Sequence, residues 1–469
     1  MRENKAAGSK GETLEKELLK KQLSELYASG KLGITPGKLS GDVFVPQSKS
    51  AAHRALIMAF LSGDIELAKI DESCVSDDIK ATKRALLSMG KALAASCNGK
   101  EISGCPSGDP VEIDCKESGS TLRFLIPLAA VLGIPTKFIG SGRLPQRPVN
   151  EYEGVFEGSG AKMTYLDETG LSLPLLITGK MKAGEYTLPG NVSSQYISGL
   201  LMALSVAEGP SRLTLTTQLE SRPYVDLTCE VMRSFGVEVE EENDGYSLKG
   251  EKKPSRTDEF EVEADYSQAA FWLVANYLGS KVNLKNLPEK TAQGDRAIVD
   301  LLSGLSEVEK KNDEAEERDA EEGRITDPEK REIFEMDARD VPDLVPVFAI
   351  AAAATNCITR IVHAERLRIK ESDRIASTSA MLTALGVRNK ITEDGLEIDG
   401  QSAKGKKCFS GGTVDSYKDH RLVMAAAVAA VCASDTVWIK DPVAVEKSYP
   451  SFFEDYLNLG GNIHGINVG

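Results

Sequence analysis

The sequence predicts an α/β protein in which one β-α-β-α-β-β unit is repeated six times, with three copies in each of two domains. A chain of 469 residues is too long for one ordinary hydrophobic core, so two domains are expected. A short extended segment, a polar turn and a strongly apolar helix also recur at intervals of about 70 to 80 residues. Such internal repetition indicates one structural unit copied along the chain.

The copies share the order of their parts. They begin near Val43, Val111, Tyr186, Phe260, Phe334 and Thr413. Most continue with an amphipathic segment that closes on Gly and a hairpin, as in VMRSFGVEVEEE and MLTALGVRNKITEDGLEI. Gly is typical of a helix end, so each of these segments is predicted to be a helix followed by strands.

The polar turn before each apolar helix is the part of the repeat that predicts function. The first N–H groups of a helix lack partners within the helix, and the positive end of its dipole lies there, so helix starts bind anions. Ser and Asp in these turns are also ordinary helix caps, which is the simpler interpretation of any one of them. Most of the turns carry Lys or Arg as well, and capping alone does not require those cations.

Two segments fall outside the repeat. Residues 1 to about 32 are a charged, helix-prone extension, and residues 306–332 are almost purely charged. Both patterns are typical of solvated surface or disorder. We expect neither segment to contribute to catalysis.

Composition excludes several classes of function. The formal net charge of −15 argues against nucleic acid or an anionic membrane as a partner, because both require a broad basic face. No run of about 18 apolar residues is present, and the N-terminal region lacks an apolar core and holds five Glu residues, unlike a targeting peptide. Eight cysteines and four histidines show no metal-ligand spacing. These features predict a cytoplasmic protein with reduced cysteines and no bound metal.

Basic residues occur at comparable points of several copies. Lys49 and Arg54 border the first apolar helix, Arg374 lies in the cluster LRIKESDR, and Arg421 precedes the most apolar helix. Arg147 and Lys447 lie in Pro-containing loops, and we group them with these cations. Any one of these cations is usually a surface ion-pair partner. Their repeated placement instead indicates one site for a small anionic substrate.

Seven motifs, in order, resemble those of the 3-phosphoshikimate 1-carboxyvinyltransferase family. They are PQSKSAAHRA, ESGSTLRF, PQRP, NVSSQYISGLLMA, ESRPYVDLT, LRIKESDR and KDHRLVMA. The resemblance extends from about Leu39 to Phe453, which is nearly the whole chain outside the extension. It implies two inside-out α/β domains with the active site in the interdomain cleft, which closes over the substrates. One domain would contain residues 33–46 and 264–469, and the other residues 47–263.

The resemblance also implies the reaction. Family members transfer the enolpyruvyl group of phosphoenolpyruvate to the 5-hydroxyl of shikimate 3-phosphate through a tetrahedral adduct and release phosphate. This is a step of aromatic amino acid biosynthesis and the target of glyphosate. Both substrates are small anions, no cofactor is needed, and we expect the enzyme to act as a monomer.

The matching positions assign site residues by resemblance. Phosphoenolpyruvate would contact Lys49, Gly119, Arg147, Gln195, Arg374, Arg421 and Lys447. Shikimate 3-phosphate would contact Ser50, Arg54, Ser193, Ser194, Gln195, Ser221, Tyr224, Asp343 and Lys370. Asp343 is the candidate base and Glu371 the candidate acid, with Lys49 stabilising charge at the phosphate bridge and sharing in proton transfer. Without the resemblance, Asp343 would be read as a helix cap and Glu371 as a surface partner of Lys370 or Arg374.

Three positions depart from the family pattern. Glu117 and Lys418 stand where Asn is expected, and Arg366 stands where some relatives have Asn. The pattern therefore does not decide glyphosate sensitivity.

The same motifs leave two alternative functions to compare. A sister enzyme that transfers enolpyruvyl to UDP-N-acetylglucosamine would have Lys-Asn in the first turn and a loop cysteine near Arg-Pro. Here the turn reads Lys49-Ser50, and no cysteine lies between Cys115 and Cys229. A non-catalytic anion sensor would not need Lys49, Asp343 and Glu371 together.

Overall fold

The computed structural model describes residues 17–97, 109–250, 252–321, 331–400 and 408–466. Its helices in chain order are α1 (17–28), α2 (Lys49–Ser62), α3 (Asp77–Cys97), α4 (Gly119–Leu132), α5 (Glu153–Phe156), α6 (Ser194–Leu204), α7 (Arg222–Ser234), α8 (Tyr266–Tyr277), α9 (Ile298–Glu321), α10 (Val345–Ala353), α11 (Arg374–Ala384), α12 (His420–Ala429) and α13 (Phe452–Asn458).

The strands are short, with two to five residues each. They are β1 (Lys31–Thr35), β2 (Ser40–Val43), β3 (Ala68–Lys69), β4 (Val111–Asp114), β5 (Thr136–Ile139), β6 (Ala161–Tyr165), β7 (Leu175–Gly179), β8 (Glu185–Leu188), β9 (Ser211–Leu215), β10 (Glu240–Glu242), β11 (Gly245–Leu248), β12 (Phe260–Glu261), β13 (Lys281–Leu284), β14 (Ile333–Asp337), β15 (Ile358–Val362), β16 (Arg388–Ile391), β17 (Leu396–Asp399), β18 (Gly412–Asp415), β19 (Val437–Lys440) and β20 (Asn462–Ile463).

The described residues divide into two compact units. The first unit contains those up to Pro46, then Tyr266–Leu287, and those from Asp295 onwards. The second contains Gln47–Asp265 and the short segment Pro288–Gly294. In that short segment the Gln293 side chain donates 2.8 Å to the carbonyl of Ala264, which joins it to the second unit.

The predicted repeat is confirmed in its complete copies. In the sheet β4-β5-β7-β6, β4 and β5 are parallel, and the hairpin β6–β7 adds antiparallel to β5. The sheets β8-β9-β11-β10 and β14-β15-β17-β16 have the same order. Each therefore folds as β-α-β-α-β-β, with a parallel crossover through an apolar helix followed by a hairpin.

The last copy is completed by the N-terminal strand. Its sheet has the order β18-β19-β1-β20, so β1 lies between β19 and β20. The interpretation of residues 1–32 as a segment outside the repeat is wrong for its last part, because Leu32 is a buried residue of this strand. Residues 17–28 form the expected helix, and Leu23 on it is buried.

The copies that begin near Val43 and Phe260 exchange strands. β2 pairs in parallel with β13 in the first unit, and β3 pairs in parallel with β12 in the second. The apolar helix after β2 therefore lies in the second unit, and the one after β12 lies in the first. This exchange requires the chain to pass between units after Pro46 and again after Asp265.

The helix that follows the first strand of each copy is buried on nearly all sides. α10 and α12 are buried at every position, and α8 packs against both. In the second unit, α6 packs against α4 and α2. Helices that are apolar all round belong in the interior. The sheets lie outside them, as the alternating burial of β5 and β8 indicates.

The segment 306–332, here called the acidic segment, is helical up to Glu321. The expectation of solvated surface is therefore wrong for Glu309 and Asn312, which are buried, and that of disorder is wrong for residues 306–321. They continue helix α9, and Leu302, Leu305, Glu309 and Asn312 on one face of it are buried. The spacing of three or four residues places these side chains on one face despite the charged residues between them. Residues 322–330 of the segment lie outside the described residues.

Within the described part of the chain, no helix combines the length and the apolar character needed to cross a membrane.

Candidate active site

Short polar side chains cap the central helices at their starts, as the simpler interpretation expected. In the second unit, the hydroxyls of Ser48, Ser118 and Ser193 accept hydrogen bonds from main-chain N–H groups at the starts of α2, α4 and α6. In the first unit, Asp373 caps α11 and Asp419 caps α12. The caps account for these residues, so any further function depends on the cations beside them.

Lys49 is the first residue of α2 and is largely buried. Its ammonium Nζ lies 2.9 Å from Oδ2 of Asp78, at the start of α3. Its main-chain N–H donates 3.0 Å to Oδ2 of Asp265. Neither carboxylate was among the residues predicted from the sequence. Asp78 follows another Asp in the first turn of a helix, and that acidic start was the available signal.

Gly119 and Arg147 are in close contact. A Cβ atom added to Gly119 would lie 2.7 Å from Nη1 and 2.8 Å from Cζ of Arg147. The guanidinium therefore packs directly over the start of α4, and Arg147 is buried. The absent side chain of Gly119 is what makes this approach possible.

Gln195 is oriented by two side chains. Its amide nitrogen donates 2.9 Å to the Ser120 hydroxyl, and its carbonyl oxygen accepts 2.8 Å from Nη1 of Arg123. Arg123, which the sequence analysis did not select, is buried and lies 5.1 Å from the centre of the Tyr196 ring. This network connects the starts of α4 and α6.

Arg54 is buried among neutral acceptors. Its donors reach the hydroxyls of Thr228 at 2.6 Å and Ser198 at 3.2 Å, and the carbonyls of Ser50 at 2.7 Å and Tyr224 at 2.9 Å. Burial lowers the pKa of Arg54 to about 10. The structure thus brings three candidate residues together and shows a buried positive charge whose partners here are dipoles rather than a carboxylate.

Three further candidate serines lie at the starts of α6 and α7 in the second unit. Ser193 caps α6, and Ser194 is its buried first residue. Ser221 immediately precedes α7 and has a positive φ of 55°. Their hydroxyls or main-chain N–H groups are therefore placed at positive helix ends, where anions bind.

Arg374 is the centre of the charged cluster of the first unit. Its three nitrogens donate to three carboxylates: Asp343 at 2.7 Å, Glu371 at 2.7 Å and Asp419 at 2.8 Å. Only 2 % of the Arg374 side chain is exposed. Because three carboxylates surround it, the pKa of Arg374 is raised well above its usual value although burial acts in the opposite direction.

Asp343 bridges two arginines. Arg374 contacts its Oδ1, and Nη2 of Arg421 contacts its Oδ2, both at 2.7 Å. Arg421 also donates 3.2 Å to the hydroxyl of Ser267. Burial would raise the pKa of Asp343, but Arg421 and Arg374 hold it well below its usual range. Asp343 lies in the 3-10 turn Pro342–Leu344 and caps no helix by its side chain, so that alternative is wrong.

Lys370 and Glu371 lie beside this cluster. Glu371 pairs with Arg374, as its alternative interpretation expected, but its side chain is only 18 % exposed and is not a surface group. Burial lowers the pKa of Lys370 to about 8, while Asp343 opposes that shift. The candidate base and the candidate acid are therefore linked through one guanidinium, and a titratable amine lies close to both.

Lys447 lies at the end of the 3-10 turn Pro442–Lys447, and its Nζ donates 2.8 Å to the carbonyl of Lys418. Lys418 is one of the departures from the family pattern and has a positive φ of 58°. Arg366, another departure, donates 2.7 Å to the carbonyl of Arg339. A Cβ on Gly142 would meet the carboxylate of Glu117, the third departure, at 2.4 Å.

The candidate residues divide between the two units. The second unit contains Lys49, Ser50, Arg54, Gly119, Arg147, Ser193, Ser194, Gln195, Ser221 and Tyr224, and the first contains Asp343, Lys370, Glu371, Arg374, Arg421 and Lys447.

Comparisons with known proteins agree on one family. The sequence model described as EPSP synthase (3-phosphoshikimate 1-carboxyvinyltransferase) matches residues 34–456. The chain is 39% identical over 449 residues to the 3-phosphoshikimate 1-carboxyvinyltransferase of Clostridium novyi, with 93% of this chain and 99% of that protein covered. It is 41% identical over 447 residues to that of Clostridium kluyveri, with the same coverage.

Solved structures agree on the fold. An EPSP synthase from Acinetobacter baumannii is 24% identical, with a TM-score of 0.67, and covers 92% of this chain and 99% of its own. The repeat, the charged clusters and the sequence relatives lead to the same conclusion: the chain belongs to the EPSP synthase (3-phosphoshikimate 1-carboxyvinyltransferase) family.

Proposed function

We propose that the chain transfers the enolpyruvyl group of phosphoenolpyruvate to the 5-hydroxyl of shikimate 3-phosphate and releases phosphate. Family membership supports the reaction. One observation carries the chemistry: Asp343 and Glu371 both form ion pairs with the guanidinium of Arg374. A transfer that removes one proton and adds another requires two such groups.

Cations and neutral donors bind the phosphoenolpyruvate. Arginine side chains are suited to its carboxylate and phosphate because their planar forks donate two parallel hydrogen bonds. In this proposal, its ligands are Lys49, Gly119, Arg147, Gln195, Arg374, Arg421 and Lys447. The close packing of Arg147 over Gly119 supports the pairing of these two residues in one subsite.

Shikimate 3-phosphate is bound largely by hydroxyls, amides and helix starts. Its ligands in this proposal are Ser50, Arg54, Ser193, Ser194, Gln195, Ser221, Tyr224, Asp343 and Lys370. The position of Ser193 and Ser194 at the start of α6 supports their contact with a phosphate. Arg54 supplies a buried positive charge held by neutral groups, which a substrate anion would stabilise.

Substrate binding also activates the base. With Arg374 and Arg421 on its two oxygens, Asp343 is a weak base, since both cations stabilise its ionised form. When the carboxylate of phosphoenolpyruvate accepts hydrogen bonds from these arginines, their interaction with Asp343 weakens. The pKa of Asp343 then rises, and it becomes a stronger base. Glu371, which shares Arg374, becomes easier to protonate for the same reason.

The proton transfers then balance. The 5-hydroxyl oxygen attacks C2 of phosphoenolpyruvate as its proton passes to Asp343, and C3 gains a proton from Glu371. In the resulting tetrahedral adduct, the bond from C2 to the phosphate oxygen breaks, the departing phosphate takes up the proton held by Asp343, and C3 returns a proton to Glu371. Lys49 stabilises the charge that develops on the departing phosphate.

A phosphate-release assay with both substrates tests the proposal. We expect Asp343→Asn and Glu371→Gln to lower turnover by about 100-fold or more while substrate binding, measured by calorimetry, is largely retained. Glu365→Gln, a change in the 3-10 turn that precedes Lys370, is the control for nearby charge. Unaltered turnover in both variants would overturn the roles, and binding without turnover in the unaltered chain would indicate a non-catalytic anion sensor.

The two compact units correspond in this proposal to the two enolpyruvyl transferase domains. We further propose that the enzyme acts as a monomer in the cytoplasm. The acidic composition and the lack of a spanning helix among the described residues support that location.

A further inference from the structure

Two cysteines of the first unit are in direct contact. Cys408 precedes β18, and Cys432 ends the 3-10 turn Ala430–Cys432 that follows α12. Their Sγ atoms lie 3.0 Å apart. Cys408 is half-buried, whereas 5% of Cys432 is exposed. Cys408 is therefore the more exposed residue of the two.

The backbone holds this pair in place on both sides. The N–H of Cys408 donates 2.8 Å to the carbonyl of Cys432, and Phe409 and Ala433 form a parallel β-bridge. The N–H of Ser434 donates 2.7 Å to the carbonyl of Phe409. Adjacent residues of paired strands have the Cα separation that a disulfide requires, and the bond itself is about 2.0 Å long. Closing the remaining gap needs rotation of side chains rather than movement of the backbone.

Cys432 also differs chemically from Cys115, Cys229 and Cys357, whose pKa values are raised by burial. The hydrogen bond from Cys408 lowers the pKa of Cys432 to about 6, with help from the Cys408 N–H and Lys38 and against the effect of burial. Burial instead raises the pKa of Cys229 and Cys357 to about 11. The contact with Cys408 therefore favours the thiolate form of Cys432, and the thiolate is the reactive form of cysteine.

We propose that Cys408 and Cys432 are a reversible modification site, at which a hydroperoxide converts the two thiols into an intramolecular disulfide. The reaction takes place at a contact between two side chains of the first unit and is separate from the transfer reaction. Its reactants are the pair and a small peroxide, and its reversal requires a dithiol reductant.

The oxidation balances in two steps. The proton shared across the contact moves to Cys432, and the Cys408 thiolate attacks one peroxide oxygen, which gives a sulfenic acid on Cys408 and hydroxide. The Cys432 sulfur then attacks the sulfenic sulfur, the S–S bond forms and water leaves. Two sulfurs are each oxidised by one electron, and the peroxide is reduced by two.

The disulfide closes a loop that carries site residues. The segment between the two cysteines contains β18, the cap Asp419, Arg421 and all of α12. A covalent tie at its ends reduces the freedom of this segment in the unfolded chain and thereby stabilises the fold. Because formation of the disulfide needs little backbone movement, Arg421 is expected to keep its position.

Peptide mapping of the purified full chain tests the proposal. After treatment with hydrogen peroxide and blocking of the remaining thiols, we expect a peptide pair linked through Cys408 and Cys432 that lacks the mass of two hydrogen atoms. Dithiothreitol should restore both thiols. The oxidised protein should unfold at a temperature roughly 5 °C higher, as expected for a loop of this length.

Matched variants distinguish the pair from other thiols. Cys432→Ser and Cys408→Ser should each abolish the linked peptide and the shift in unfolding temperature, whereas Cys229→Ser should leave both unchanged. Recovery of both cysteines as unmodified thiols after peroxide would overturn the proposal. Sulfinic acid on Cys408 without a link, or a link that dithiothreitol does not reduce, would overturn it as well. None of these measurements depends on turnover, so they stand apart from the proposed enzymatic reaction.

Discussion

The guanidinium of Arg147 occupies the space that a side chain at Gly119 would need. An added Cβ would lie 2.7 Å from Nη1 of Arg147, closer than carbon and nitrogen atoms approach without a bond. Since Arg147 is buried, its displacement would disturb the surrounding packing. The contact explains why a glycine begins helix α4, and it leads to a prediction about substrate affinity.

Gly119→Ala should raise the KM for phosphoenolpyruvate by roughly 10-fold or more, the scale of one lost charge-assisted hydrogen bond. The KM for shikimate 3-phosphate should change much less, because that substrate is assigned other ligands. Steady-state kinetics with each substrate varied in turn provide the measurement. Gly154→Ala is the matched control, since a Cβ there meets no atom within 4 Å. Equal KM changes for both substrates would contradict a specific displacement of Arg147.

Deprotonation of Lys370 should lower the activity of the enzyme at alkaline pH. Its pKa is lowered to about 8 by burial, so the amine loses its charge as the pH rises through that value. If the charged amine binds shikimate 3-phosphate, kcat/KM for this substrate should fall above pH 8, by about tenfold per pH unit in the limit. Lys370→Arg keeps the charge and should move the fall to higher pH. A profile of kcat/KM that is flat from pH 7 to about pH 9.5 would refute the assignment.

The same group affects stability in the opposite direction. The pKa of Lys370 is about 8 in the folded protein, below the value of about 10.4 for an unperturbed lysine. Between these values the unfolded chain binds more protons, so the contribution of Lys370 to stability rises with pH in this window. A loss of activity above pH 8 would therefore not arise from unfolding caused by Lys370.

Asn312 tests whether the acidic segment contributes to the fold. Its amide oxygen accepts a hydrogen bond of 2.8 Å from the N–H of Glu332, and the residue is 3% exposed. Asn312→Ala leaves that N–H without its partner and should lower the free energy of unfolding by about 1–3 kcal/mol. Glu316→Ala, an exposed change on the same helix, should alter it by no more than about 0.5 kcal/mol. Urea unfolding followed by circular dichroism compares the two, and equal stabilities would mean that this part of α9 is dispensable.

A chain of buried hydrogen bonds supports the start of helix α4. His53 Nδ1 lies 2.8 Å from the Thr82 hydroxyl, which lies 2.7 Å from that of Thr121, and Thr121 donates 2.8 Å to Ser118. Burial, Lys49 and Arg54 hold the pKa of His53 well below its usual value, so the imidazole is neutral. Each member of the chain therefore relies on its neighbour for a partner.

Thr82→Val removes the hydroxyl that joins His53 to Thr121 and nearly conserves its volume. We expect a loss of about 1–3 kcal/mol in the free energy of unfolding, because buried polar groups lose their partner. Thr82→Ser retains the hydroxyl and should recover most of that loss. The comparison is made by urea unfolding at neutral pH. If the valine variant were as stable as the serine variant, the hydrogen bonds would not be responsible.

Local patterns in the sequence were enough to predict the repeated unit, the buried helices and the caps. The apolar stretch of α12 and the cap at Asp419 each depend on residues within one or two helical turns, which a sequence displays directly. Features that depart from the repeat were not predicted from these local patterns. Strand β1 completes the sheet of the last copy from the opposite end of the chain, and no local pattern indicates that pairing. The burial of Glu309 and Asn312 on α9 was not predicted, because charged residues surround both positions in the sequence.

The partners of the charged residues depended on the folded structure alone. Arg374 pairs with Asp419, which is 45 residues away in the sequence, and Arg421 pairs with Asp343, which is 78 residues away. Such contacts form only when separate copies of the repeat bring their helix starts together within one unit. A sequence shows which side chains can carry charge, whereas the distance between two charges decides whether a carboxylate is a weak or a strong base.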